Sequence, residues 1–439
     1  MSRVDSRDLP LTTNSDLAAE RYRQGVDLLL SAWPGAADVL DQAIDADPEF
    51  ALAHAARARL HAIRGEMPHA RRRIEAAEAI LGRDGNEREQ SHVAILSRVI
   101  DGQSAAALKQ VCTHLDSWPR DILIFSLPLG AFGLFAFSGM AEHDQARVDL
   151  CERHAQHFKA DDWWFLTYRG WAHTENGNLT LGRDLTERGL DQRTENANAA
   201  HALAHALYEA GAIEETERMI SEWLPDYDRS GTLHGHIAWH AALAALERGD
   251  VERALTVYAD SIRPEVSLGL PINVVSDTAS FLWRLQAYGH DVPEGLWEEA
   301  AAYSEGYFQK AGLAFIDVHM AILAAATGDR SAVERRVEAL TRLVDSGALG
   351  AGPVAPALCQ AVLAFAEEQY KACIRFLEPV ADEVVRIGGS GAQRQMIEDM
   401  LLLAFMQGGE PSKARDLLDR RLHRRTSPRD MRWRDSVTG

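Results

Sequence analysis

Ala/Leu-rich stretches with apolar residues at three- and four-residue spacing alternate with short polar breaks along most of this chain. That is the pattern of amphipathic helices that each bury one face. The breaks are RGEMPHA around Gly65, DGQSAAA around Gly102, SGMAEHD around Gly139, NGNLTLG around Gly177 and AGAIEET around Gly211. They continue as RGDVERA at Gly249, YGHDVPE at Gly289, TGDRSAV at Gly328, EEQYKAC near Glu368 and GGEPSKA at Gly408. Successive breaks lie 34 to 40 residues apart. A fixed period of this length signals helical hairpins in series, because one hairpin cannot bury its apolar face alone. In each unit a glycine supplies the left-handed cap that ends the first helix, and a small or acidic residue opens the second. Alanines beside the breaks, such as Ala70, Ala254, Ala332, Ala372 and Ala414, let paired helices approach closely.

The expected fold is therefore all-α: an α/α superhelical solenoid of about ten helix–turn–helix units over residues 21–425. Residues 1–20 read as an N-terminal arm and 426–439 as a flexible polar tail. The clearest unit runs from Ala43 to Ile80. Asp47-Pro48 closes one helix there, and Ala51, Ala53, Ala55 and Ala56 open the next. This unit looks like a tetratricopeptide repeat (TPR), and the longer later units are TPR-like.

Composition narrows the function classes. Of 439 residues, 65 are acidic and 46 basic, giving a formal charge of −19. Such a surface repels phosphate backbones and anionic lipid, so neither nucleic acid nor membrane is expected as a partner. The basic groups Arg71–Arg73 and Arg420, Arg421, Arg424 and Arg425 read as a solvated helix face and a loose terminus. Four dispersed cysteines without CxxC spacing fit a reducing cytoplasm, and MSRVDSRDLPLTT has no signal-peptide pattern. The uncharged stretch from Leu123 to Met140 reads as a buried helix, given Pro128, Gly130 and Gly133 within it.

Several stretches together resemble the tetratricopeptide repeat protein 38 family. They are LPLTT (9–13), EREQSHVAIL (87–96), AAHALAHALYEAG (199–211), HIAWHAALAALERGDVERAL (236–255), VVSDTASFLWRLQAYG (274–289), DVHMAILAA (317–325), LCQAV (358–362) and VVRIGGSGAQRQ (384–395). They occur in the family's order over nearly the whole chain. The resemblance implies an all-helical TPR-like superhelix and no particular activity. Two departures, the apolar Leu123–Met140 stretch and Leu207 where a further histidine is common, make this chain less polar than the family pattern.

Unusual polar residues share one register. His92, Tyr168, His201, His240 and His319 each lie nine or ten residues before the glycine of their break. His205, His236, Trp239, Asp277, Arg284 and Asp317 likewise fall on the first helices of their units. His201/His205 and His236/His240 are i,i+4 pairs, which project from one helix face. Such pairs can ligate zinc, act as general acid and base beside a carboxylate, or hydrogen-bond a polar ligand. No HExxH motif or nearby cysteine supports a metal, so neither metal nor cofactor is expected.

Two readings follow. In the first, an inner groove binds a small molecule or peptide through His92, Tyr168, His236, Trp239 and Arg284. In the second, a cofactor-independent hydrolase or lyase uses His201, His205, His240 and His319 as acid and base. Asp277 and Asp317 would orient those imidazoles, and Arg284 would clamp an anionic group of a small, partly apolar substrate. Homo-oligomerisation stays open. GGSGAQ (388–393) precedes a helix, so its amides could cradle an anion.

Overall fold

The computed structural model describes residues 3–437; the outermost ends of the predicted arm and tail, 1–2 and 438–439, lie outside the described residues. Among the described residues every regular element is helical except one isolated bridge between Val4 and Pro10. The eight glycines predicted to end first helices, Gly65 to Gly328, all adopt φ between 75° and 87°. At the ninth break the same left-handed turn is made by Glu368, with φ 56°. At the tenth it is Gly409 (φ 82°) and not Gly408, which closes the helix Gly391–Gly408.

The array divides into two compact units. The first comprises Met1–Phe135, Asp144–Ala172 and Asp184–Ala199; the second comprises Ala136–His143, His173–Arg183 and Ala200–Gly439. In the first unit Asp16–Leu30 pairs with Ala36–Ala46, Ala51–Ile63 with Met67–Asp84, and Glu87–Ile100 with Ser104–Ser117. Ala51, Ala53, Ala55, Ala56 and Ala58 are all buried, so neighbouring helices meet around Ala51–Ile63 on small side chains. The predicted arm is part of this unit. Leu9 and Leu11 are buried, Arg7 grips Asp162 through two 2.9 Å bonds, and helix begins already at Asp16.

The Leu123–Met140 stretch is not the single helix expected. Only Ile122–Phe125 is α-helical, with a 3₁₀ turn at Ala136–Ser138. Pro128, Gly130 and Gly133 break the rest, while Leu123, Ile124, Phe125 and Leu129 enter the core of the first unit. No helix among the described residues is long and apolar enough to cross a membrane.

The second unit continues the hairpins. Ala197–Glu209, whose first residues belong to the first unit, turns at Gly211 into Ile213–Trp223. His234–Arg248 turns at Gly249 into Val251–Val257, and Pro271–Ala287 at Gly289 before Leu296–Ser304. Ala314–Ala326 with Arg330–Asp345, Val354–Ala366 with Tyr370–Leu377, and Gly391–Gly408 with Pro411–Arg424 complete the series. The first helices are the core: His234–Arg248 is buried without interruption from Gly235 to Glu247, and Pro271–Ala287 from Asn273 to Leu285.

The expected loose tail is structured as far as it is described. Ser427 N-caps a helix, Pro428–Ser436, that packs against His234–Arg248. Arg421 binds Asp399 and Asp430, each at 2.7 Å, while Arg429 bonds Tyr288 and lies 3.4 Å from Asp399. Ser427 donates to Glu247. Arg421, Arg429, Asp399, Asp430 and Glu247 are all at least 96% buried. A polar composition reads as solvated; here the positive charges meet acids from distant hairpins. Burial opposes ionisation of Asp399, but Arg429 and Arg421 hold its carboxyl well below the usual range. Arg71 and Arg73, by contrast, lie on the solvated side of their helix as expected.

The exposed turn at Glu368 holds a side chain in a conformation that favours glycine, at a cost of about 1 kcal/mol. Glu368→Gly should raise the urea midpoint, corresponding to about 0.5–1 kcal/mol, whereas Gly249→Ala should lower it by a similar amount. Equilibrium denaturation of the two variants checks this pair.

Candidate functional site

Two first helices of the second unit, Ala197–Glu209 and His234–Arg248, each present histidines one turn apart. The i,i+4 spacing puts His201 above His205 and His236 above His240, and the two faces meet. His205 Nε2 lies 3.0 Å from His201 Nε2. The rings of His201 and His236 are 4.7 Å apart, and those of His205 and His240 4.3 Å apart. One ring nitrogen from each of the four lies within 4.8 Å of all the others. The cluster is closed: exposure is 8% at His201, 4% at His236 and nil at His205 and His240.

Carboxylates from neighbouring hairpins flank two of the imidazoles. His236 Nδ1 donates to Asp277 Oδ2 at 2.8 Å, from the helix Pro271–Ala287. His205 Nδ1 lies 3.2 Å from Glu175 Oε1 at the end of the Gly177 hairpin's first helix. Glu175 is itself held: its other oxygen accepts a 2.8 Å bond from the Gly391 amide. The glycine-rich turn thus does receive an anion, and that anion is a side chain of the protein. Gly389 sits there at φ 76°, where a β-carbon would come 2.5 Å from the Phe315 ring. Ser390 and Gln393 close a capping box on the following helix.

Burial, reinforced by neighbouring imidazoles, pushes His201 and His240 well below the usual histidine range, so both are neutral. Burial raises Asp277 above the ordinary carboxylate range, opposed by His236. Trp239 stacks on His236 at 5.4 Å and meets His240 edge-on at 5.0 Å, forming an apolar wall. Both ring nitrogens of His240 are buried without a hydrogen-bond partner among the described residues.

The remaining residues singled out by register do other work. Asp317 is tied to Arg336 and to the Gly312 amide, clamping its own hairpin. His319 bonds the Phe315 carbonyl of its own helix at 2.8 Å and is not part of the four-histidine group. Arg284 donates to the Ala392 and Ser280 carbonyls and lies over Trp239, so it is a buried strut and not an anion clamp at a surface. His92 and Tyr168 belong to the first unit. His92 and His114 bind Asp121 together with Arg88, an internal ionic knot. Burial opposes that charge, and its partners still hold Asp121 well below the usual range. Tyr168 packs on Trp164, with Asn198 3.4 Å from its hydroxyl. Glu175 escaped the sequence reading because it lies only two residues before Gly177, off the shared register.

Beside Glu175 the second unit holds a cavity of about 600 Å³. Leu377, Val384 and Leu401 line it with Arg394, Arg420 and Arg424.

No family model matches the chain. Among solved structures it is similar to yeast Tom70, at 11% identity and a TM-score of 0.32, covering 96% of this chain and 95% of that one. It is also similar to a Rap protein complexed with competence and sporulation factor, at 12% identity and a TM-score of 0.41, covering 85% and 97%. The P58(IPK) TPR domain matches at 14% identity with a TM-score of 0.22, covering 92% and 89%.

Burial lowers His319 from 6.5 to about 4. Folding therefore expels a proton there, and the contribution is complete above about pH 6.5 and lost as pH falls towards 4. His319→Gln should flatten the stability loss between pH 7.5 and pH 5 by about 2 kcal/mol, measured by urea titration at the two pH values.

Proposed function

We propose that the protein acts chemically on a small molecule at the His201/His205/His236/His240 cluster, as an enzyme of the hydrolase or lyase kind. The observation that carries this reading is the convergence of four imidazoles, two of them flanked by carboxylates, in one buried site. Structural histidines are satisfied by one or two polar partners, as His92 and His114 are by Asp121, and do not need three other rings packed against them. A peptide-binding surface needs reachable donors, whereas these side chains are at most 8% exposed.

His201 and His240, kept neutral by burial, are suited to bind an electrophile through a ring nitrogen. Asp277 orients His236 and stabilises it if it becomes charged. His201, the most exposed member, is the natural point of contact with a substrate. The adjoining cavity, with apolar walls and four arginines matched by four acids, suits a small, partly apolar molecule, and Glu175 is common to cavity and cluster. The same cavity supports a second reading, in which such a molecule is held without being transformed.

On its quoted sequence stretches we place the chain as a divergent relative of the tetratricopeptide repeat protein 38 family, working in the cytoplasm. Four free cysteines support a reducing compartment.

Incubation of the purified protein with a metabolite extract, followed by mass spectrometry, separates the readings. The wild type should consume at least one species, and His201→Asn should do so about 100-fold more slowly while keeping its melting temperature within a few degrees. If compounds bind and are recovered intact with none consumed, the catalytic reading is wrong and the binding one stands.

A further inference from the structure

We propose that His201, His205, His236 and His240 together hold one divalent transition-metal ion, with Asp277 and Glu175 as outer partners of two of its ligands. The inference deepens the reading above by naming a ligand of the same cluster, and it does not require that the protein turn anything over.

Spacing is the first support. Metal–imidazole bonds of about 2.0–2.1 Å place ligand nitrogens about 3.3 Å apart in a tetrahedron and up to about 4.1 Å across an octahedron. Here one nitrogen from each ring lies within 4.8 Å of the rest, and the His201 and His205 Nε2 atoms are already at 3.0 Å. Side-chain rotations that draw the set together by less than about 1 Å reach bonding distances.

The second support is the direction of the rings. His236 points Nδ1 at Asp277, and His205 places Nδ1 beside Glu175. A proton held at Nδ1 leaves the Nε2 lone pair for a metal, and a carboxylate behind a histidine is the usual outer arrangement of such ligands. Asp277 and Glu175 come from two different flanking hairpins, so each pair is braced from outside the two ligand helices. The third support is His240, fully buried with both ring nitrogens unpartnered among the described residues. A nitrogen in that position is costly to bury unless something binds it, and three other imidazoles lie 4.3–5.3 Å away, ring to ring.

The chemistry of the donors selects the ion. Four imidazoles with no carboxylate or thiolate in the inner set suit zinc, iron, cobalt, nickel or copper, and are a poor match for magnesium or calcium. A second grouping, His61, Glu66 and His69, has Glu66 exposed and offers oxygen besides nitrogen, so its spectroscopic signature differs.

The test is metal analysis of the full chain purified without chelators, then cobalt(II) titration of chelator-treated protein. About one ion per chain is expected, with visible cobalt bands and an X-ray absorption shell of nitrogen alone at about 2.0–2.1 Å. His201→Ala and His240→Ala should lose the bands, while His319→Ala, which removes a buried histidine outside the cluster, should keep them. Asp277→Asn should weaken cobalt affinity about 10- to 100-fold with the fold intact by circular dichroism, which guards against cluster variants that fail to fold. Wild-type protein that is metal-free and shows no cobalt bands would overturn the proposal. So would a sulfur-containing shell, or bands that survive in both cluster variants. Metal bound without turnover leaves this inference standing and sinks the catalytic one; turnover by metal-free protein does the reverse.

Discussion

The helices His234–Arg248 and Pro271–Ala287 are buried on every side, and that single constraint governs the second unit. A helix in contact with water can leave its polar side chains to the solvent. One enclosed all round must find a partner inside the protein for each of them, or bear the cost of burying it alone. His236, His240, Asp277, Arg284 and Glu247 all lie on these two helices, and four of the five meet a polar partner from another hairpin. The five buried alanines of His234–Arg248 help to enclose it, because small side chains let flanking helices approach closely.

Two kinds of polar interior result. Around Asp399 the charges balance: Arg421, Arg425 and Arg429 face Asp399, Asp430 and Glu247, and most of their nitrogens and oxygens are accounted for. Removing one member would leave its partner charged and dry, which typically costs about 3–5 kcal/mol. Around His240 the balance is different, since imidazoles gather on imidazoles with carboxylates only at the outer edge. The first arrangement is what stability alone would select. The second gathers four imidazoles in a dry interior, and one of them, His240, makes no hydrogen bond among the described residues.

Much of this was legible along the chain. The period of the breaks fixes the hairpins, because a left-handed turn after a buried helix almost demands glycine; the exception at Glu368 was still found through the spacing around it. The i,i+4 pairs gave the two histidine faces correctly, since that spacing survives small errors in register. A shared register did not make a shared site: His319 has the same nine-residue offset as His240, yet it and Asp317 meet partners of their own hairpin, because which side chains converge is set by the neighbouring hairpins. Glu175, Asp399 and the buried arginines near the C-terminal end were opaque for another reason. Their significance lies in contacts between hairpins remote in sequence, and no local pattern distinguishes such a residue from a solvated one. The Leu123–Met140 stretch shows the converse, in that its apolar character was plain while Pro128, Gly130 and Gly133 decided its shape.

The pairing of Ser427 and Arg429 with Glu247 spans 180 residues or more of intervening chain. During synthesis, then, the hairpin carrying Glu247 leaves the ribosome long before its counter-ions exist. A repeat array is ordinarily able to consolidate unit by unit as it emerges. Here the growing chain must keep an acidic gap hydrated until the arginines arrive, so the second unit is completed as a whole and not by increments.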